Sequence, residues 1–237
     1  MNLRSNYRDV IARLLNDRLQ DPVRIAFFSQ ESTNLEPPLH TPCHWCSEAE
    51  NLIKELVSLN DKLSLIVYDF MKDTRVAEEY GVDKIPALIP LSDRDHGIRI
   101  FGVPAGYEFA AFLEAVVDVS RGETSLGQKT KTRVRDLTRD VHIQVLVSPT
   151  CPFCPAAVRL AHQMALESPR IRADMIEIQE FPHLAQRYNV QGVPKIVINE
   201  KTSIEGTPLE SLLLLHILKA SGDLTPDEDK QFLLYGR

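Results

Sequence analysis

Apolar and polar positions change period along the chain in a fixed order, and that order occurs twice. Short apolar runs at 24–28 and 142–147 read as buried strands. Each leads through a loop into a helical pattern in which apolar residues recur three and four apart: Ala49, Leu52, Ile53, Leu56 and Leu59 in one place, Ala157, Val158, Ala161, Met164 and Ala165 in the other. A second strand follows (63–68 and 173–178), then a short helix, then a third strand opened by a proline (87–91 and 195–199). Return strands at 98–101 and 202–205 make hairpins, and closing helices cover 109–119 and 209–220. Further helices precede the first strands, over 7–19 and 129–138. The pattern predicts an α/β fold of two tandem β-α-β-α-β-β-α units, each a central mixed β-sheet flanked by helices.

A constant offset relates the two patterns. Cys151 stands 108 positions after Cys43, as Pro194 does after Pro86 and Tyr188 after Tyr80, so the chain is an internal duplication. The stretch Tyr80-Gly81-Val82-Asp83-Lys84-Ile85-Pro86 answers Tyr188-Asn189-Val190-Gln191-Gly192-Val193-Pro194. Between the copies the apolar pattern lapses at 120–128, which holds Gly122 and Gly127 among polar residues. The expected organisation is unit one over 1–120, a linker and helix over 121–140, and unit two over 141–237. The copies are unequal in one place, where ten extra residues, 31–40, precede Cys43.

Composition narrows the class. The 237 residues are 43% hydrophobic and 25% charged, which suits a globular core and neither a disordered tract nor a disulfide-held miniprotein. A net charge of −6 gives no footing on phosphate backbones, so nucleic acid is not an expected partner. The densest apolar patch, 212–218, is far shorter than a membrane span and is interrupted by His216. Residues 1–20 interleave Arg4, Arg8, Asp9, Arg13, Asp17 and Arg18 with apolar positions, as an amphipathic helix does and a signal peptide does not. A cytoplasmic protein with no membrane partner is expected.

In that compartment paired thiols serve redox or metal chemistry. All four cysteines fall in two Cys-x-x-Cys motifs, Cys43-His44-Trp45-Cys46 and Cys151-Pro152-Phe153-Cys154, each at a strand-to-helix junction. Unpaired backbone N–H groups and the partial positive charge of a helix start stabilise a thiolate there. Cys43 and Cys151 are therefore read as attacking thiols, and Cys46 and Cys154, one turn on and facing inward, as resolving thiols. A shared zinc site would bring two such pairs within about 15 to 20 residues of each other. Here 104 residues lie between Cys46 and Cys151, so no metal is expected.

Two such motifs in tandem, each with its proline, resemble the prokaryotic protein disulfide oxidoreductases, relatives of glutaredoxins and of protein disulfide isomerase. The resemblance covers nearly all of the chain and is strongest at Cys151-Pro152-Phe153-Cys154-Pro155 and over 192–199. It implies two thioredoxin-like units whose redox-active disulfides need no bound cofactor. It also implies that Pro86 and Pro194 are cis and face the cysteines, with Ile85 and Val193 presenting backbone to an extended substrate peptide. The implied partners are protein thiols and disulfides, with a flavoprotein of the thioredoxin-reductase type as electron donor. The first unit departs from the family pattern: it lacks a proline between its thiols and carries the ten extra residues. Gly192 before Val193-Pro194, and Glu205-Gly206-Thr207 after the last strand, do not match a glutathione site.

Several neighbours complete the candidate sites. His44, Trp45, Pro152 and Phe153 lie between the thiols as tuning residues, with His40 just before the first motif. The simplest reading of His44 is a solvated loop histidine; Trp45 is either substrate-facing or packed on the inserted loop. Asp69 and Glu177, also 108 apart, end the second strands and read as caps or solvated carboxylates. Pro152, read as opening its helix, and the unencumbered second loop give the second site most of the general reductase activity. The expected function is reduction, oxidation or isomerisation of protein disulfides. Alternatives are a dedicated electron relay to a peroxiredoxin-type partner and a non-enzymatic peptide-binding or chaperone module.

Overall fold

In the computed structural model, which describes residues 5–30 and 43–235, the first repeat runs α1 (Ser5–Arg18), β1 (Val23–Ser29), α2 (Cys46–Val57), β2 (Leu63–Asp69), α3 (Thr74–Glu79), β3 (Ala87–Leu91), β4 (Ile98–Phe101) and α4 (Tyr107–Arg121). The second runs α5 (Gln128–Arg135), β5 (Val141–Val147), α6 (Cys154–Glu167), β6 (Ile171–Glu177), α7 (Pro182–Arg187), β7 (Lys195–Ile198), β8 (Thr202–Glu205) and α8 (Glu210–Ser221). Helix α5 stops at Arg135, three residues short of the expected 138. A further helix, α9 (Pro226–Tyr235), follows α8 beyond the elements that the periodicity predicts. Its signal is a capping box: Thr225 Oγ1 accepts the Glu228 N–H (3.3 Å), and the Glu228 carboxylate accepts the Thr225 N–H (3.0 Å).

The two central sheets expected from the repeats are one. Strands β4 and β6 pair in parallel, Ile98 opposite Ala173 through Phe101 opposite Ile176, giving a continuous eight-stranded order β2-β1-β3-β4-β6-β5-β7-β8. Both strands are almost wholly buried, and an unpaired edge there would strand backbone N–H and C=O groups away from water. Residues of α1, α2, α4, α5, α6 and α8 form one apolar core with one face of the sheet, while α3 and α7 pack on the other. Helix α4 of the first repeat lies against α6 of the second. Arg159 on α6 pairs with Glu114 (3.0 Å) and Asp118 (3.2 Å) on α4, and Gln163 donates to Asp118 (2.9 Å).

This topology decides where the cysteines go. Strand β3 is antiparallel to both β1 and β4, and β4, β6 and β5 are mutually parallel, so β1 and β5 point the same way. Both cysteine motifs leave the same rim of the sheet, four strand spacings apart, or about 19 Å at about 4.8 Å per strand.

Entry into the β4–β6 pair depends on Gly97, whose carbonyl accepts the Ala173 N–H (2.8 Å) at φ +73°. A Cβ there would overlap the Ile171 carbonyl oxygen. Gly97→Ala should lower stability by about 1–3 kcal/mol in urea titration. An unchanged midpoint would show that the strands pair without this close approach.

Candidate functional site: two cysteine pairs on one rim

Strand β5 delivers the chain to a turn in which Ser148 O accepts the Cys151 N–H (3.1 Å). Cys154 opens α6 and is fully buried; Cys151 keeps 7% of its surface, and the two form a disulfide with Cα atoms 5.5 Å apart. The Cys154 N–H, an unpaired donor of the helix start, points at Cys151 Sγ (3.1 Å). On its other side Cys151 Sγ lies 3.6 Å from the Val193 carbonyl oxygen. The Val193–Pro194 bond is cis, and Pro194 O accepts the Gly206 N–H (2.8 Å). Thr207 Oγ1 donates to Phe153 O (3.0 Å), so the segment after β8 is tied to the cysteine turn. Phe153 itself is 69% exposed beside the sulfurs.

Pro152 requires a correction. It precedes α6 rather than opening it, because Phe153 is the cap and Pro155 occupies the first turn. Proline is favoured in the first turn because an N–H there has no intrahelical partner, so the role expected of Pro152 belongs to Pro155.

The first site repeats the plan with different supports. Cys43 and Cys46 form a disulfide, Cα to Cα again 5.5 Å, with Cys46 buried at the start of α2 and Cys43 half-buried. The Cys43 N–H donates to Gln30 Oε1 (3.1 Å). Ile85–Pro86 is cis, and Pro86 O accepts the Gly102 N–H (2.9 Å), the counterpart of the Pro194–Gly206 bond. His44 and Trp45 are both exposed. His40 and the extra segment 31–40 lie outside the described residues. Among the described residues no group of three His, Cys, Asp or Glu is placed to hold a metal ion.

Midway between the pairs, where β4 meets β6, sequence reasoning missed two carboxyl groups, while a third, Glu177, takes the capping role that was one of its two expected readings. Glu108, in the first turn of α4, is 1% exposed, and neither of its carboxyl oxygens has a hydrogen-bond partner. Burial, with the nearby charges of Glu177 and Glu180, pushes it up to about 9. Glu177 does cap a turn, accepting the Gln179 (3.0 Å) and Glu180 (2.8 Å) N–H groups, but it is buried rather than solvated, and burial raises its pKa. Asp69 caps its turn as expected, accepting the Met71 N–H (2.9 Å). Glu180 accepts the Val103 N–H (2.7 Å) across the joint; burial, above the charges of Glu177 and Glu48, pushes it up to about 7. Glu108 and Glu180 sit in ordinary polar positions of a helix and a loop. The available clue was glycine: Gly102 and Gly106 adopt φ +100° and +56° where a Cβ would strike Glu177 and the Pro149 carbonyl.

A cysteine pair at a strand-to-helix turn, accompanied by a cis proline bond at the start of a later strand and present twice, defines a thiol-disulfide oxidoreductase of thioredoxin fold. Comparison with known proteins agrees. The thioredoxin-domain family profile matches residues 141–219. Thioredoxin of Methanocaldococcus jannaschii is 38% identical over 80 residues, 33% of this chain and 94% of that protein. The crystal structure of a protein disulfide oxidoreductase from Aeropyrum pernix superposes with a TM-score of 0.85 at 30% identity, covering 95% of this chain and 97% of that one. The chain belongs to the tandem thioredoxin-like family of which that oxidoreductase is a member. NADH dehydrogenase of Bacillus subtilis and the alkyl hydroperoxide reductase AhpF of Escherichia coli are 25% and 26% identical over 68% of the chain, which spans 30% and 29% of their lengths.

The buried acids make stability pH-dependent. Folded Glu108 keeps its proton to about pH 9, whereas in the unfolded chain it loses it near its ordinary 4.5. The folded state therefore binds more protons between those values, and stability falls as pH rises through them. The melting temperature should drop between pH 7 and 9, and Glu108→Gln should flatten that part of the curve; an unchanged slope would mean that Glu108 is ionised in the folded protein.

Proposed function

We propose that the chain exchanges disulfides with protein substrates through both cysteine pairs, organised as units 1–120 and 141–237 joined by 121–140, in the cytoplasm. The observation that carries this reading is the setting of Cys151 Sγ, which receives a helix-start N–H at 3.1 Å and sits 3.6 Å from the backbone of Val193. In the reduced protein that N–H stabilises the Cys151 thiolate. The thiolate attacks a substrate disulfide, forming one S–S bond as another breaks, and the departing substrate sulfur takes up a proton. Buried Cys154 then loses its proton and attacks Cys151, which releases the second substrate thiol and leaves Cys151–Cys154 oxidised; two electrons have passed to the substrate. An extended substrate pairs with the backbone at Val193 and Pro194, and at the first site with Ile85 and Pro86 beside Cys43 and Cys46. A flavoprotein of the thioredoxin-reductase type returns the electrons.

Sulfurs exchange only within bonding contact, about 2 Å, so sites about 19 Å apart on one rigid sheet meet their partners separately. That separation supports two independent reactions over a relay from one pair to the other within the chain. Similarity to the alkyl hydroperoxide reductase AhpF favours one second reading, a relay toward a peroxiredoxin-type partner. Among the described residues no helix is long and apolar enough to cross a membrane.

Reduction of insulin tests the assignment. Cys151→Ser should lower the rate at least about tenfold while Cys43→Ser leaves most of it, because the ten extra residues before Cys43 suit it to a narrower partner. A larger loss from Cys43→Ser reverses the assignment. Alanine at all four cysteines with unchanged cellular function would leave only the peptide-binding module.

A further inference from the structure

Two adjacent residues after β8 reach the second cysteine pair from both sides. The Gly206 N–H donates to Pro194 O (2.8 Å), in the backbone whose Val193 carbonyl oxygen lies 3.6 Å from Cys151 Sγ. Thr207 Oγ1 donates to Phe153 O (3.0 Å). That carbonyl and the Cys154 N–H belong to one peptide group, and the N–H points at Cys151 Sγ (3.1 Å). A single planar amide thus stands between the Thr207 hydroxyl and the attacking sulfur. A hydrogen bond accepted at the carbonyl end of an amide draws electron density to the oxygen and makes its N–H a stronger donor. The same bond fixes the plane of the amide, and with it the direction in which the N–H points. The first repeat has Gly102-Val103-Pro104 where the second has Gly206-Thr207-Pro208, and Gly102 bonds Pro86 as Gly206 bonds Pro194. Val103, in the place of Thr207, has no hydroxyl to donate.

We propose that Thr207 is a positioning residue for the second cysteine pair: its hydroxyl, acting through the Phe153–Cys154 peptide, orients and strengthens the N–H that stabilises the Cys151 thiolate. The inference deepens the reading of Cys151 as the attacking thiol and rests on it. A sulfur anion gains more from that N–H than a neutral thiol or a disulfide sulfur does, so the contribution favours the ionised form. Hydrogen bonds in a chain strengthen one another by about 10–30%. For a bond to a charged acceptor this amounts to about a two- to threefold change in the ratio of thiolate to thiol. The first pair is without this hydroxyl, which distinguishes the two sites independently of the ten extra residues before Cys43.

The test uses the full chain with Cys43→Ser and Cys46→Ser, reduced, and follows alkylation by iodoacetamide across the pH range in which Cys151 ionises, with the modified cysteine identified by peptide mass. Thr207→Val keeps the shape of the side chain, installs the residue that the first repeat has there, and removes only the hydroxyl. It should move the inflexion of the Cys151 profile upward and slow alkylation below that inflexion about two- to threefold, while Thr207→Ser restores the original profile. A purely structural role would lower the melting temperature and leave the inflexion in place, and that result would overturn the proposal. So would a Thr207→Ser profile that matches Thr207→Val. If Thr207→Val does not fold, Thr207→Ala removes the same hydroxyl: an inflexion moved upward supports the proposal and an unmoved one overturns it. Alkylation needs no protein substrate, so a chain inactive on insulin whose Cys151 profile still depends on Thr207 would count against disulfide exchange and not against this inference. An active chain with an unmoved profile would do the reverse.

Discussion

The parallel pairing of β4 with β6 is the constraint on which the rest of the molecule depends. Each repeat by itself ends one side of its sheet on a buried strand, and burying unpaired backbone there would cost on the order of 1–3 kcal/mol for each group left unsatisfied. Pairing removes that cost and fuses two four-stranded halves into one sheet. Because the joined strands are parallel, β1 and β5 keep a common direction, and both cysteine motifs emerge on one rim. An antiparallel joint would have put them at opposite ends. The placement of α4 against α6 follows from the same pairing, as does the Arg159–Asp118 contact between them.

The joint also creates an environment that neither repeat holds alone. Where β4 ends, Gly102 and Gly106 let the second repeat approach the backbone, and the space between is occupied by Glu108, Glu177 and Glu180. Burial raises all three carboxyl groups in this desolvated region, and neighbouring carboxylate charge raises Glu108 and Glu180 further. Most other buried acids of the chain behave in the opposite way: Asp174, wholly buried, is held down to about 2 by hydrogen bonds from His142 and Arg172. The contrast is one of partners rather than depth, and it marks the joint as the place where protonation near neutral pH changes the charge of the rim.

Much of this was legible in the residues. Period switches gave every strand, the 108-residue offset gave the duplication, and Cys-x-x-Cys at a strand-to-helix turn gave the chemistry, because each is a local signal repeated in an independent copy. What escaped the sequence depends on contacts between distant segments. Nothing local in Ile98–Phe101 says that it pairs with Ile171–Glu177 rather than ending a sheet, and nothing in Glu108 or Glu180 separates them from surface glutamates until the joint closes over them. The Pro152 assignment failed for another reason: helix starts read from sequence are uncertain by a residue or two, and here that shift moved the first-turn role to Pro155. Helix α9 was legible through Thr225 and Glu228, but its apolar positions are sparse.

The central claim, that two dithiol sites stand on one rim of a single sheet, is open to a direct distance measurement. Spin labels placed by His44→Cys and Pro152→Cys, at equivalent exposed positions in a chain whose four native cysteines are serine, report the span by pulsed electron spin resonance. Four strand spacings of about 4.8 Å plus the label tethers predict one narrow distribution centred at about 20–30 Å. A distribution beyond about 40 Å, or one broad enough to require independent motion of the two repeats, would contradict the continuous sheet.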